Sequence, residues 1–367
     1  MKKRSSLRRR QRGVAIITAL LLTTLAVTIV ASLFWQQQVQ VRSMENQRLQ
    51  LQTRWILRGA LDYARLILRQ DGRDRGARTA LDGVWATPLA ETRLDDFIER
   101  ERVENESYNA TLSGRITDAE SRYNLANLAS QRQVSPNNVH LFQRLLENLH
   151  LDPALAQRAA EEVARSQLVT ATAAQGSTGT GTDSGTGAGV GAGAGSGTGT
   201  GSGPGTGTGT GSPPLQGAQV SSDGRGEPME LVRVEDLLAL SGFTPEAIEK
   251  LRDFVIVLPP DAQLNLNTAP AEVLSALVDG LSQSEAQSLV NDRLRRPYSG
   301  NSDFTRLIGN RQLPDDSQDP VRVAVNSNYF LVLSRVKLDR ATLDTQALIQ
   351  RYPQNNYSTK VLWIRDN

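Results

Sequence analysis

Residues 1–38, MKKRSSLRRRQRGVAIITALLLTTLAVTIVASLFWQQQ, decide how the rest of the chain is read. Seven Lys or Arg and no acid stand in residues 1–12, and after Gly13 the 22 residues from Val14 to Trp35 carry no charge, proline or glycine. As a helix rising 1.5 Å per residue, that run spans roughly 33 Å, the thickness of a hydrocarbon core. The cations hold their end in the cytoplasm, which sends the remainder to the far side of the inner membrane. A cleaved secretory signal has a shorter apolar run and a small-x-small exit. Here the run ends in Phe34, Trp35 and three glutamines, with Trp35 at the level of an interfacial ring. Gly13 presents an unhindered peptide bond where the chain enters the membrane. Cleavage between Gly13 and Val14 and an uncleaved anchor both fit these residues.

The totals narrow the function classes. At 367 residues and 39% apolar composition, the chain can fill two compact domains or one domain with insertions. The absence of cysteine excludes disulfides and thiolate metal sites, and two histidines, His140 and His150, exclude a three-histidine zinc centre within one chain. The formal charge is +2, but without the leader 34 basic side chains face 39 acidic ones, a net of −5. The basic isoelectric point then belongs to the precursor and argues poorly for nucleic-acid binding.

The apolar run meets no helix breaker at Trp35. Residues 36–70 lack proline, contain only Gly59, and are rich in Gln, Leu, Arg and Ala. Val41, Met44, Leu51, Trp55, Ile56, Ala60, Tyr63, Ala64 and Ile67 predict an apolar stripe. One helix from Val14 to Gln70 is about 85 Å long, its first half in lipid and its second half on a soluble domain.

Beyond DGRDRG, the region from Arg93 to Asp118 reads as strands, Val103 and the alternating TLSGRITD included. Between Asn124 and Leu168 the pattern turns helical, with starts at Pro136-Asn137-Asn138 and Asp152-Pro153. Residues 172–212 are nearly all Gly, Ser, Thr and Ala and predict a long disordered surface loop. VEDLLAL, ended by Gly242, precedes TPEAIEKLRDFV, capped by Thr244. A short extended stretch then leads DAQLNLNTAPAEVLSALVDG into a helix near Thr268, and SQSEAQSLVNDR opens at Ser282 or Ser284. VRVAVNSNYFLVLSRVKLD and TKVLWIRDN alternate like antiparallel strands, with Gln346 to Tyr352 as a connecting turn or helix.

The order predicts an α+β fold: a pilin-like long amino-terminal helix packed on an antiparallel sheet, with a large inserted all-helical domain. The expected divisions are a leader at 1–13, a transmembrane half-helix at 14–35 and a first part of the sheet domain at 36–124. An inserted helical domain at 125–315 and closing strands at 316–367 follow, and the two outer parts need each other to complete the sheet.

Asn265 and Asn267 in LNLNTAP are echoed by Asn124 and Asn127 in RYNLANLAS, and such asparagines serve neighbouring backbone groups where strands turn into helices. The segment from LNLNTAP to NDR, followed by Phe304 and Leu307, is similar to a helix-hairpin-helix module. Its turn, Asp279-Gly280-Leu281-Ser282, lacks a second glycine and puts an acid where a phosphate would dock, so packing or a partner surface is expected, not nucleic acid. Asp315, Asp316 and Asp319 in PDDSQDP offer carboxylates for Ca²⁺, with Asp118, Glu120 and Asp223 as weaker candidates; a solvated acidic turn fits the same residues. No nucleophile elbow, phosphate loop or acid/base pair stands out, and a non-enzymatic protein is expected.

Taken together, the leader with RGVAIITALLLTTLAV, ILRGALDYARLIL, VWATPLA, ITDAESRYNLANLA, LSGFTPEAIEKLRDFVIVLP, LNLNTAPAEVLSAL and the closing strands strongly resemble the K component of the type II secretion pseudopilins. The resemblance implies cleavage after Gly13 by a prepilin peptidase and methylation of the new amino-terminal Val14. Most pilin-like subunits carry glutamate at the fifth mature position to neutralise the terminal amine of a neighbour; here that position is Thr18. An uncompensated charge in hydrocarbon is expensive, so the resemblance implies a periplasmic tip subunit with the I and J pseudopilins and the major pseudopilin filament as partners. Family members can bind Ca²⁺ near the domain junction, which is set here against PDDSQDP.

Overall fold

The computed structural model describes residues 12–94, 110–167, 230–260, 262–314 and 321–366. The leader up to Gln11, Val103, the Gly/Ser/Thr tract, Asp223, and Asp315, Asp316 and Asp319 lie outside them.

A single helix, α1, runs from Arg12 to Arg75 over 64 residues, about 96 Å at 1.5 Å per residue. It continues five residues beyond Gln70 before stopping. Gly72 and Gly76 lie in its last turns and just past them, where the Tyr357 ring packs so closely that a Cβ on Gly72 would come 2.5 Å from Tyr357 Cδ1. The final turns are thereby clamped to the sheet domain.

The strands β1 (Leu89–Arg93) and β2 (Ala110–Asp118) come next, and the chain then enters the helical part. Among the described residues, six two-residue strands and six further α-helices follow in chain order: β3 (Tyr123–Asn124), β4 (Ala129–Ser130), β5 (Gln133–Val134), α2 (Pro136–Asn148), α3 (Ala154–Ser166), α4 (Pro245–Leu251), β6 (Val255–Ile256), β7 (Leu264–Asn265), α5 (Ala271–Leu277), α6 (Gln283–Arg295), α7 (Asn301–Leu307) and β8 (Val323–Ala324). The bridges are β3 on β6, β4 on β5 and β7 on β8, making three pairs; β9 (Tyr329–Leu338), β10 (Ala341–Tyr352) and β11 (Ser358–Asp366) close the chain.

Local chemistry explains the helix starts. Ser135 accepts from Asn138 N ahead of Pro136, Thr244 accepts from Ala247 N ahead of Pro245, and Ser282 forms a reciprocal capping box with Glu285. VEDLLAL forms a 3-10 turn over Val234–Ala239, and Gly242 turns the chain away from it at φ +100°.

The main sheet has the order β1-β2-β9-β10-β11, antiparallel throughout. The first and last parts of the chain therefore complete one sheet, and the α+β pilin-like architecture is present. Two expectations are corrected. Gln346 to Tyr352 is not a turn or helix: it belongs to β10, which pairs on both sides and buries Ala347 and Ile349. VRVAVN does not join the main sheet; Val323–Ala324 pairs in parallel with Leu264–Asn265 inside the helical part. The chain re-enters the sheet only at Tyr329.

The stripe on α1 matches its prediction in part: Ala64 lies in the core, and Ile56 and Ile67 pack against it. Leu57, Leu61, Ala64 and Leu68 meet Phe330, Val332, Val336, Ala347 and Ile349 in the core between helix and sheet. Val41, Met44, Leu51, Trp55 and Tyr63 are exposed. Thr53 and Asp71 continue the buried face, so polar residues mark its ends and an apolar count alone rotates the stripe. The opposite face of the sheet uses Tyr329, Leu331 and Leu348 to pack on Ile256, Leu258 and Ala262. A separate, larger core fills the helical part, with Phe142, Leu145, Leu251, Leu274 and Phe304 among its fully buried members.

Candidate functional site

Two features carry functional weight: a buried polar junction where α1, the sheet and the helical part meet, and the uncovered length of α1.

At the junction, the end of β2 points Asp118 into the interior. Its Oδ2 accepts from Ser327 Oγ at 2.6 Å, Thr268 Oγ1 at 2.6 Å and Asn265 Nδ2 at 2.9 Å, while Oδ1 accepts from the backbone of Glu120 at 2.9 Å. Two residues on, Glu120 Oε1 accepts from Gln263 N at 3.0 Å, and Oε2 accepts from Asn328 N and from Tyr329 N at 3.3 Å. Burial pushes both carboxyls up; for Glu120 burial and then the charge of Asp118 raise it to about 8, and for Asp118 the bonds from Ser327, Thr268 and Asn265 oppose the rise.

LNLNTAP supplies the other half. The amide of Asn265 also reaches Thr79 O at 3.0 Å, and its Oδ1 accepts from Asn267 N at 2.9 Å. Asn267 then holds Tyr298 by both its N–H and its carbonyl, at 2.8 and 3.0 Å. Asn124 holds Leu258 in the same two-sided way, at 2.9 and 3.1 Å. These asparagines do the backbone-satisfying work expected of them.

Arg351, on β10, completes the network. Its guanidinium is 2% exposed and donates to Leu68 O at the end of α1, Asp71 Oδ2 at 3.1 Å, Thr79 Oγ1 at 2.9 Å and Ser327 O at 2.9 Å. It also lies 4.8 Å over the Phe330 ring. A continuous path thus runs Asp71, Arg351, Thr79, Ser327, Asp118, Asn265. Sequence reading missed Thr79, Ser327 and Arg351, because a single polar residue in a strand or loop carries no local sign of burial; LNLNTAP and the carboxylates of Asp118 and Glu120 were the visible signals.

Among the described residues no three His, Asp or Glu side chains converge as a metal site. The Asp118 and Glu120 oxygens already face hydroxyl and N–H donors, the surroundings of a satisfied carboxylate pair. The helix-hairpin-helix turn is likewise engaged internally: Arg144 donates to Asp279 Oδ1 and to Ser275 O, each at 2.5 Å, and to Val278 O, at the place a phosphate would need. His140 Nδ1 lies 3.8 Å from the same aspartate, and His150 ends α2's neighbourhood at φ 57°.

Along α1 the contrast is sharp. Ile16, Ile17, Leu20, Leu21, Leu25, Ile29, Phe34 and Trp35 are all more than half exposed, and the helix is long and apolar enough to cross a membrane, with a mean hydropathy of 2.4 in its most apolar stretch. Gly13 and Val14 are its second and third residues. The hydroxyl of Thr18 turns back to Ala15 O at 3.0 Å, so the fifth position after Gly13 offers no charge. Above the span, Val41, Met44, Leu51 and Trp55 stand uncovered. The first contact of the sheet domain with this length is Arg340, which reaches Asn46 at 2.9 Å and Glu45 at 3.6 Å.

The chain is similar to known proteins in sequence and in fold. Residues 264–326, which contain LNLNTAP and β8, match the family model described as type II secretion system protein K. A type II secretion system protein K of Pseudomonas aeruginosa is 29% identical over 338 residues, covering 90% of this chain and 86% of its own length. A protein of the same name from Pectobacterium carotovorum is 23% identical over 362 residues, 94% of this chain and 93% of its own. In fold, a chain of the crystal structure of the GspK-GspI-GspJ complex from enterotoxigenic Escherichia coli matches with a TM-score of 0.59 at 18% identity, over 89% of this chain and 99% of that one. Over nearly its whole length the chain is thus similar to type II secretion system K proteins.

Proposed function

We propose that this chain is a membrane-anchored minor pseudopilin that stands at the tip of a type II secretion pseudopilus, where it initiates or caps the filament and supports export of folded periplasmic proteins. The observation that carries the reading is the helix α1: an apolar rod exposed from Ile16 to Trp35 and continued by the bare apolar residues Val41 to Trp55, while only its last third is covered by its own domain. Such a rod is a surface for other helices, and in lipid those contacts rest on packing, not on expulsion of water.

Thr18 gives the rod its direction. Without a carboxylate there, the subunit cannot neutralise the amino terminus of a neighbour beneath it, and the helical part adds bulk on the opposite side of the sheet. Both favour a terminal place in a stack. Prepilin peptidase cleaves after Gly13 in this reading, and the relatives' association with the I and J types supplies the partners.

The test is deletion of the gene and complementation in its own cell. Folded exoproteins are expected to accumulate in the periplasm, and photo-crosslinkers placed at Leu51 are expected to capture subunits of the I or J type. Undiminished secretion in the deletion strain would overturn the proposal.

A further inference from the structure

A crevice of about 510 Å³ opens between the outer face of the sheet and the helical part, within the ~300–1,000 Å³ range of clefts that hold ligands. Its floor is Leu331 and Leu333 on β9, Gln346 on β10 and Trp363 on β11, and its roof includes Val234 and Val255. A bulge opposite Leu348 and Ile349 turns Trp363 onto this face.

Both ends of the crevice are cationic. At the β2 end stand Arg115 and Arg122; at the β11 end stand Arg365 and Arg233, with Arg365 lying 3.9 Å over the Trp363 ring and donating to Val232 O at 3.1 Å. The acids nearby answer these charges only in part, although the charges of Glu235 and Asp236 act on Arg365. Glu235 is held by Arg252 at 3.2 Å, and Asp236 accepts from the backbone of Val232 and Arg233 at 2.8 Å. Asp253 faces Arg122 from 4.0 Å, and the charge of Asp118 also acts on it, although the Arg122 side chain is only 21% exposed. Burial and the adjacent Arg115 both pull the Arg122 pKa down. A buried cation with so little compensation is costly and gains from an anionic ligand.

The spacing selects the ligand. The strands β2 and β11 are separated by β9 and β10, and Arg115 and Arg365 are aligned across them through Leu333 and Gln346, so these two arginines stand about 14 Å apart, three strand spacings. An extended chain rises ~3.4 Å per residue, and residues i and i+4 point the same way about 14 Å apart. A phosphate or a lone carboxylate reaches one end only.

We propose that this crevice binds an extended acidic segment of a partner polypeptide, with carboxylates at i and i+4 on the two arginine pairs and an apolar side chain at i+2 on Leu331, Leu333 and Trp363. The inference does not depend on the place of the chain in a filament.

The experiment uses the full chain in detergent and a fluorescent heptapeptide, VETVTEV, read by anisotropy. Expected are binding that weakens with salt, at least a tenfold loss for VKTVTKV and for VEETVTV, and at least a tenfold loss for Arg122→Gln. Because Arg122 is largely buried, the exposed pair Arg115→Gln with Arg233→Gln serves as a second variant that keeps the fold, with the same expected loss. No binding, equal binding of VEETVTV, full displacement by equimolar inorganic phosphate, or unchanged affinity in the exposed double variant would each overturn the proposal.

Discussion

The side-chain amide of Asn265, in the helical part, donates at 2.9 Å to the buried carboxylate of Asp118 at the end of β2. This contact joins residues 147 positions apart and ties the inserted helices to the sheet they interrupt.

Asn265→Ala removes that donor together with the bonds to Thr79 O and Ser327 Oγ. Buried polar groups left without partners cost about 1–3 kcal/mol each. A loss of about 2–4 kcal/mol is expected in urea unfolding of the detergent-solubilised chain, and a change below ~0.5 kcal/mol would show that the junction is not structural.

Stability should fall with rising pH. Burial beside Asp118 holds Glu120 up at about 8, against 4.5 for an ordinary glutamic acid. The folded chain therefore keeps a proton that the unfolded chain releases above about pH 4.5. The stabilising contribution is complete below that pH and is lost as pH rises through 8, with a limiting slope near 1.4 kcal/mol per pH unit. Asp118, also raised, acts in the same direction. Glu120→Gln should flatten the profile from pH 5 to 8 at some cost in stability, since its amide nitrogen cannot accept from the backbone; an unchanged slope would remove the assignment.

Leu51→Glu and Trp55→Glu alter bare positions on α1. Neither touches the core, so thermal unfolding should stay within about 0.5 kcal/mol of the native chain, while co-purification with partner subunits and secretion are lost. A large fall in melting temperature would place these side chains in the protein's own core instead.

Replacing Gly13 with Leu should leave full-length precursor in the membrane. Mass analysis of the amino terminus reads the outcome directly, and a normally processed chain would move the cleavage site elsewhere.

Calcium at Asp315, Asp316 and Asp319 is a proposal with its own measurement. Purified protein should contain Ca²⁺ by elemental analysis, and chelation should lower its melting temperature, an effect abolished by Asp316→Asn. Metal-free protein with an unchanged melt would leave PDDSQDP as a solvated turn.

Much of the architecture was legible in the sequence because it rests on local or one-dimensional signals. The 22 uncharged residues after Gly13, the absence of breakers up to Gln70, and the Ser135-Pro136, Thr244-Pro245 and Ser282-to-Glu285 starts each state their structure within a few positions. The buried face of α1 was harder, since Thr53 and Asp71 extend it while Trp55 and Tyr63 leave it. Gln346 to Tyr352 looked like a connection because its polar residues hide a strand whose identity comes from pairing with β9 and β11.

The sequence by itself determined a membrane-length rod, a sheet split around a helical block, and asparagines placed to serve backbone groups, all properties of neighbouring residues and of solvent. Only the tertiary structure decided that Asp71, Arg351, Ser327, Asp118 and Asn265 share one buried network, and that five arginines from distant segments line one crevice. Desolvation and charge compensation act through distances in space, and chain folding sets those distances between residues that sequence order keeps far apart.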